Sequence, residues 1–223
     1  MYIKILAQII ILSLLLPFGQ LQNDIVQVNT SLYKGSETVT IIPLTGNKSV
    51  QYIEDNWNRY IILKSGQDIK IISRSGASFP EVDPAKTRIA YIYPYFWETI
   101  GDVFIYDVSK DQYLVIIKGN ELKNQHTPKK IKWLNDRYLL TIIGLAYGTV
   151  SKGGSLYIYD TMNNQLHFAV EPESMTEFVD ITSVDDKKVV LETHRWTDEM
   201  MNEYTEEETI FTPNDILKKA GLK

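Results

Sequence analysis

The groups in this sequence with the widest chemical reach are three histidines, His126, His167 and His194, and an acidic run between Asp198 and Glu208. The histidines are scattered and show neither an H-E-x-x-H pair nor another metal-ligand spacing. His194 closes an alternating stretch and reads as a strand residue. The acidic run carries Asp198, Glu199, Glu203, Glu206, Glu207 and Glu208 with no basic residue among them. A hard cation needs several oxygens converging at about 2.3–2.6 Å. No D-x-D-x-D-G loop is present, and successive acids on a strand point to opposite faces, so the run reads as a solvated charged hairpin and no metal site is expected. Nucleophile and phosphate signatures are absent: there is no G-x-S-x-G elbow, no G-x-x-x-x-G-K-[ST] and no G-x-G-x-x-G, and Gly148 to Gly154 lacks the elbow spacing. With no cysteine in the chain, disulfides, thiolate metal sites, iron–sulfur clusters and a cysteine nucleophile are excluded. No cofactor and no catalytic residue is assigned. A hydrolase using Glu98, Asp198 or His194 as acid or base stays open as an alternative, because carboxylate separation and pKa cannot be read from spacing.

Three segments combine large rings with a few polar groups: Pro94 to Gly101, Gly144 to Gly154 and Trp196 to Tyr204. Tyr95, Phe96, Trp97, Tyr147 and Trp196 lie on them, beside Glu98, Lys152, Asp198 and Glu199. Amphipathic rings bury large area at low entropic cost, so a cluster of them suits a sugar or peptide ligand. The same rings could instead cap a core. Which reading holds depends on whether the intervening elements bring the segments to one face.

Those elements read as strands. Short runs of alternating, β-branched or aromatic residues recur between turn residues, predicting an all-β chain. The expected strands are 38–43, 49–54, 59–64, 68–73, 88–93, 102–108, 112–117, 130–134, 137–143, 155–160, 165–170, 177–182, 188–196 and 203–211. Thr45-Gly46-Asn47, Ser65-Gly66, Asp83-Pro84, Asn135-Asp136, Asn163-Asn164 and Asp185-Asp186 supply the turns. An internal repeat underlies the pattern. Gly101 to Ile117 (GDVFIYDVSKDQYLVII) aligns on Gly154 to Val170 (GSLYIYDTMNNQLHFAV) at a displacement of 53 residues. Each copy turns at a polar segment opened by Asp107 or Asp160, whose carboxylate can accept backbone N–H bonds in an Asx turn. A turn and strand precede each copy. Related units begin near Asn56 and Asp185, giving about four units of roughly 40–50 residues.

Pro80 to Asp107 and Trp133 to Asp160 resemble blades of the TolB-like and WD-type β-propellers, in which a turn of Ser-Pro-Asp-Gly-Lys type precedes a strand and the next strand ends in Ile-Tyr-Asp. The resemblance covers Tyr52 to Phe211. Asp83-Pro84-Ala85-Lys86 reverses the Pro and Asp of that turn and lacks its glycine, and the chain is short of the usual six or seven blades. The resemblance implies antiparallel blade-like repeats, closed as a small propeller or left as an open array, and membership of an exported bacterial family. It supplies no activity. A two-sheet β-sandwich is the alternative architecture.

Thr212-Pro213-Asn214-Asp215 places a cap, a first-turn proline and an acid ahead of Ile216 to Gly221, predicting a short C-terminal helix that packs Ile216, Leu217 and Ala220 on the sheets. At the other terminus, Lys4 precedes the apolar run Ile5 to Leu16 and then Pro17-Phe18-Gly19. A dozen apolar residues behind one cation match a secretory signal, whereas a membrane span needs about 20. Residues 1–20 are therefore expected to be a signal peptide or N-terminal anchor, and 21–223 a single domain. The location is expected to be extracytoplasmic, with membrane contact only through Ile5 to Phe18 if that segment is uncleaved. Across 223 residues, 28 acidic and 23 basic side chains give a net charge of −5 with no basic stripe, which argues against a nucleic acid partner. The expectation is an exported, non-catalytic module that presents the aromatic loop face to a peptide, glycan or envelope protein. A structural component of an envelope assembly is a further alternative.

Overall fold

The computed structural model describes residues 38–55, 58–147 and 150–222. The expected signal segment lies outside the described residues, as do Asn56 and Trp57. Among the described residues, fifteen strands form four antiparallel meanders in chain order. The first comprises β1 (Thr38–Pro43), β2 (Lys48–Asp55), β3 (Asn58–Ser65) and β4 (Asp68–Ser73), and the second β5 (Glu81–Val82), β6 (Arg88–Tyr93), β7 (Asp102–Asp107) and β8 (Gln112–Ile117). The third comprises β9 (His126–Trp133), β10 (Tyr138–Leu145), β11 (Ser155–Asp160) and β12 (Gln165–Val170). The fourth has β13 (Thr176–Val184), β14 (Val189–Trp196) and β15 (Tyr204–Phe211), followed by α1 (Pro213–Lys219). The blade-like repeat is thus real, and the two-sheet alternative is overturned.

Burial explains the strand sequences. Middle strands such as β6 (RIAYIY) and β10 (YLLTIIGL) are apolar on both faces because a sheet packs on each side. The outer strand β8 (QYLVII) leaves its first four residues exposed. Three buried clusters fill the seams. Val50, Ile61 and Leu63 of the first sheet meet Ile89, Tyr91 and Tyr106 of the second. Ala90, Val103 and Ile105 on the opposite face of the second meet Ile131, Trp133 and Leu139 of the third. Leu140, Leu156 and Ile158 meet Phe178, Ile181 and Leu191 of the fourth. Among the described residues none of these clusters joins the fourth sheet to the first, and the four successive sheets fit a partial propeller.

Asp and Asn side chains close the turns between the first and second, and third and fourth, strands of a sheet. Asp107 accepts from the N–H groups of Ser109 and Lys110 at 2.9 and 3.1 Å, Asn135 from Arg137 and Tyr138 at 2.9 Å each, and Asp185 from Lys187 and Lys188 at 2.7 and 2.8 Å. The C-terminal helix forms as its sequence predicts: Thr212 Oγ1 accepts from Asp215 N at 3.1 Å, an interaction worth about 1 kcal/mol. Ile216 is fully buried in the seam of the third and fourth sheets, with Leu217 and Ala220 against it.

Two strand features were not legible. β5 is two residues long and carries no periodicity. β9 begins four residues before its expected start, through a Pro-containing stretch whose register shifts between Ile142 and Ile143 of β10.

Candidate functional site

That register shift shapes the site. Lys130 pairs with Ile142 and Pro128 with Ile143, leaving Lys129 as the extra residue of a β-bulge. Strict alternation would send Lys129 and Lys130 to opposite faces. The bulge re-aims the strand, and both line the same groove. β13 has comparable shifts, between Phe178 and Asp180 and between Ile181 and Ser183, and Val179 and Asp180 likewise face the groove together. The groove has a volume of about 470 Å³, with an adjoining cavity of about 390 Å³ that shares Arg59, Tyr95, Lys129, Lys130 and Asp180. It therefore draws residues from all four sheets.

The loops after the second strand of the second, third and fourth sheets reach this end of the array. Tyr95, Phe96, Trp97 and Glu98 of the β6–β7 loop, Ala146, Ser151 and Lys152 of the β10–β11 loop, and Tyr204 at the start of β15 line the groove. Phe96 and Trp97 are 48% and 60% exposed, while Tyr95 is half-buried with the Arg59 guanidinium 5.7 Å from its ring centroid. Gly76 sets the loop's approach. Tyr95 N donates to Gly76 O at 2.7 Å, and a Cβ on Gly76, whose φ is +97°, would meet the Phe96 ring at 2.3 Å. Tyr147 stands exposed next to Ala146 but does not line the groove, and Trp196 is half-buried, edge-on to Tyr204 at 5.3 Å. Of the five expected site rings, three share the groove, Trp196 reaches it through Tyr204, and Tyr147 lies beside it.

The β10–β11 loop is tied down by a carboxylate. Buried Glu177 on β13 accepts from Ser151 Oγ at 2.6 Å, Lys152 N at 3.1 Å and Gly153 N at 3.0 Å. Glycine is required where this loop passes the sheets, because a Cβ on Gly153 would sit 2.1 Å from the Phe178 carbonyl oxygen.

Charge of both signs lines the groove. Lys130 Nζ pairs with Asp180 at 3.0 Å, and in the adjoining cavity Lys132 pairs with Glu81 at 3.7 Å. Burial raises the Glu81 carboxyl above its ordinary value against the pull of Lys132. Burial also lowers the Lys129 ammonium, with Glu177 opposing. The buried Nε of Arg59 has no hydrogen-bond partner and lies 3.7 Å from Glu54. Sequence reasoning missed Arg59, Lys129, Lys130, Asp180 and Glu192, and read Glu206 only as part of a solvated acidic run. The available signal was Pro-Lys-Lys-Ile-Lys on a strand that enters the core at Ile131 and Trp133, where an inner strand facing solvent on one side would be needed. Asp198 is elsewhere: it is half-buried and accepts from the N–H groups of Asn202 and Glu203, closing its own turn.

A family profile described as "Domain of unknown function (DUF4652)" matches residues 96–213, more than half of the chain, and the chain belongs to that family. No curated protein matches the sequence. A Clostridium novyi NT protein described as a "putative conserved lipoprotein" is similar at a TM-score of 0.55 and 22% identity, over 62% of this chain and 88% of that one. The β-propeller domain of the Trilobed protease from Pyrococcus furiosus, described as having an open velcro topology, is similar at 0.50 and 14%, over 78% of this chain and 54% of that one. TolB from Acinetobacter baumannii gives 0.47 and 16%, over 75% and 41%. The chain thus spans about half the length of the Pyrococcus domain. The sheet topology and the likeness to the Pyrococcus domain make the fold a partial β-propeller.

Proposed function

We propose that this DUF4652 chain is an exported, non-catalytic binding module whose groove takes an extended peptide segment of an envelope protein, one carrying a carboxylate beside an apolar side chain. The observation that carries this reading is the convergence of exposed Phe96 and Trp97 with Arg59 and Lys129 in one groove. Arg59 Nε has no hydrogen-bond partner, its ion pair with the exposed Glu54 carboxylate being long at 3.7 Å, and Lys129 is depressed by burial, so an incoming carboxylate would add a close anion to both cations where water serves them poorly. The rings supply apolar area for a neighbouring side chain. Export is supported by the apolar run Ile5 to Leu16 behind Lys4 and by likeness to the clostridial protein described as a lipoprotein.

Peptide and glycan arrays probed with the chain test the ligand class. Peptide hits are expected to weaken at least tenfold on Trp97→Ala and again when the peptide carboxylate is replaced by an amide. Glycan hits alone, or peptide hits indifferent to both changes, would reject the proposal. Cell fractionation with mass spectrometry of the N-terminus tests export, and an intact cytoplasmic chain would reject that part.

A further inference from the structure

We infer that Glu192, His194 and Glu206 form a binding site for one borderline divalent cation, with Zn²⁺ as its type ion. The inference is independent of the peptide reading, since it concerns side chains of the fourth sheet alone. Antiparallel geometry assembles the set. Glu192 and His194 are two residues apart on β14 and so share a face, and Glu206 on β15 is directly opposite His194. One imidazole nitrogen and a carboxylate oxygen from each glutamate lie within 4.8 Å of one another. His194 Nε2 is 3.6 Å from Glu192 Oε1. That is too long for a hydrogen bond, but donors about 2.0–2.2 Å from a tetrahedral metal stand about 3.4 Å apart.

The histidine itself is the second observation. His194 is 4% exposed, and its Nδ1 has no hydrogen-bond partner. That nitrogen faces Glu177, whereas Nε2 faces Glu192, so the ring offers Nε2 to the cation and leaves Nδ1 to the carboxylate behind it. Tyr204 stacks on the imidazole with centroids 3.8 Å apart, fixing its plane. Glu177, opposite His194 on β13, has Oε1 3.8 Å from Nδ1. On metal binding at Nε2, a small closure would let Nδ1–H donate to that carboxylate, the usual support behind a ligating histidine. Nitrogen in the set disfavours Ca²⁺ and Mg²⁺, and two carboxylates neutralise the dipositive charge. Glu192, His194 and Glu206 all line the groove, so a further coordination position faces its interior.

The test is equilibrium titration of the full chain with Zn²⁺, and separately with Co²⁺ followed by visible absorption. We expect one ion per chain, a Co²⁺ spectrum of tetrahedral intensity displaced by Zn²⁺, and at least tenfold weaker binding in Glu192→Gln and in Glu206→Gln. Both substitutions are on exposed or half-buried side chains and keep side-chain volume, so thermal melting of the apo forms checks that the fold is retained. Glu207→Gln, on the opposite face against Arg195, should leave binding unchanged. No saturable binding would overturn the inference. Binding that survives both glutamine variants would overturn it equally, placing the ion elsewhere.

Discussion

The two ends of the sheets are built on opposite terms. At one end Asp83, Asp107, Asn135, Asp160 and Asp185 spend their side-chain oxygens on the turns they begin, and polar groups there are satisfied locally. At the other end, three longer loops converge over strand faces that carry charge, exposed rings and nitrogens of Arg59 and His194 that make no hydrogen bond. Stability is invested at the first end and binding capacity at the second, the usual division between a scaffold and its loops. Within the first end a finer contrast appears. Asp107 and Asp160 end the same Ile-Tyr-Asp repeat, and both carboxyls are lowered to about 2. Asp160 is held first by Arg137, which donates to it from Nε and Nη2 at 2.9 and 2.6 Å. For Asp107, burial raises the carboxyl, and bonds from Ser109 and Lys110 more than offset that. In the second sheet the corresponding arginine, Arg88, turns instead to buried Asp83 at 2.9 Å and to the Asp136 carbonyl of the third sheet. One local sequence therefore serves either as a self-contained turn or as one half of a buried ion pair.

The largest effect should come from Asp160→Ala. It removes an unexposed carboxylate that also accepts from Met162 N and Asn163 Nδ2, and the loss should be about 3 kcal/mol. That figure is at the low end for a buried pair because Arg137 is about a third exposed. The pH dependence follows the same group. Its folded pKa is depressed, so its contribution is complete above the unfolded value of about 3.9 and disappears as pH falls from there through about 2. Asp160→Asn should flatten urea-unfolding free energy across that window, and an unchanged slope would contradict the pairing.

Lys129→Met should stabilise by about 1 kcal/mol at neutral pH, since burial penalises the ammonium and a methionine fills similar space, while peptide affinity falls. A lower melting temperature would instead mean that the ammonium has a structural partner. Asp107→Ala should cost less, somewhat under about 1 kcal/mol, as expected for a half-buried capping side chain whose cationic partner, Lys110, is exposed. Carboxyl NMR titration sharpens this pair: Arg137→Gln should raise the pKa of Asp160 and leave that of Asp107 at about 2. The smallest stability effect belongs to Trp97→Ala, within about 0.5 kcal/mol for an exposed loop side chain. If it unfolds the protein, the ring belongs to the core and the contrast between the two ends collapses at that loop.

Most of the architecture was carried by local pattern. Period-two alternation and turn residues predict fourteen strands whose positions agree with the structure to within a few residues, the Gly101 and Gly154 repeat marks two equivalent hairpins, and Thr212-Pro213 marks the terminal helix. These signals are short-range, because a strand's faces and an Asx turn are decided within a few residues of chain. The groove is of a different kind. Lys129 and Lys130 share it because a register shift against β10 overrides alternation, and Glu206 meets His194 because β15 pairs with β14 in one register out of several that its polar sequence would tolerate. Arg59 and Asp180 reach the same groove from separate sheets. Seam packing between sheets, a long-range property, decides those neighbours, so residue types were legible in the sequence but their grouping was settled only when the sheets packed.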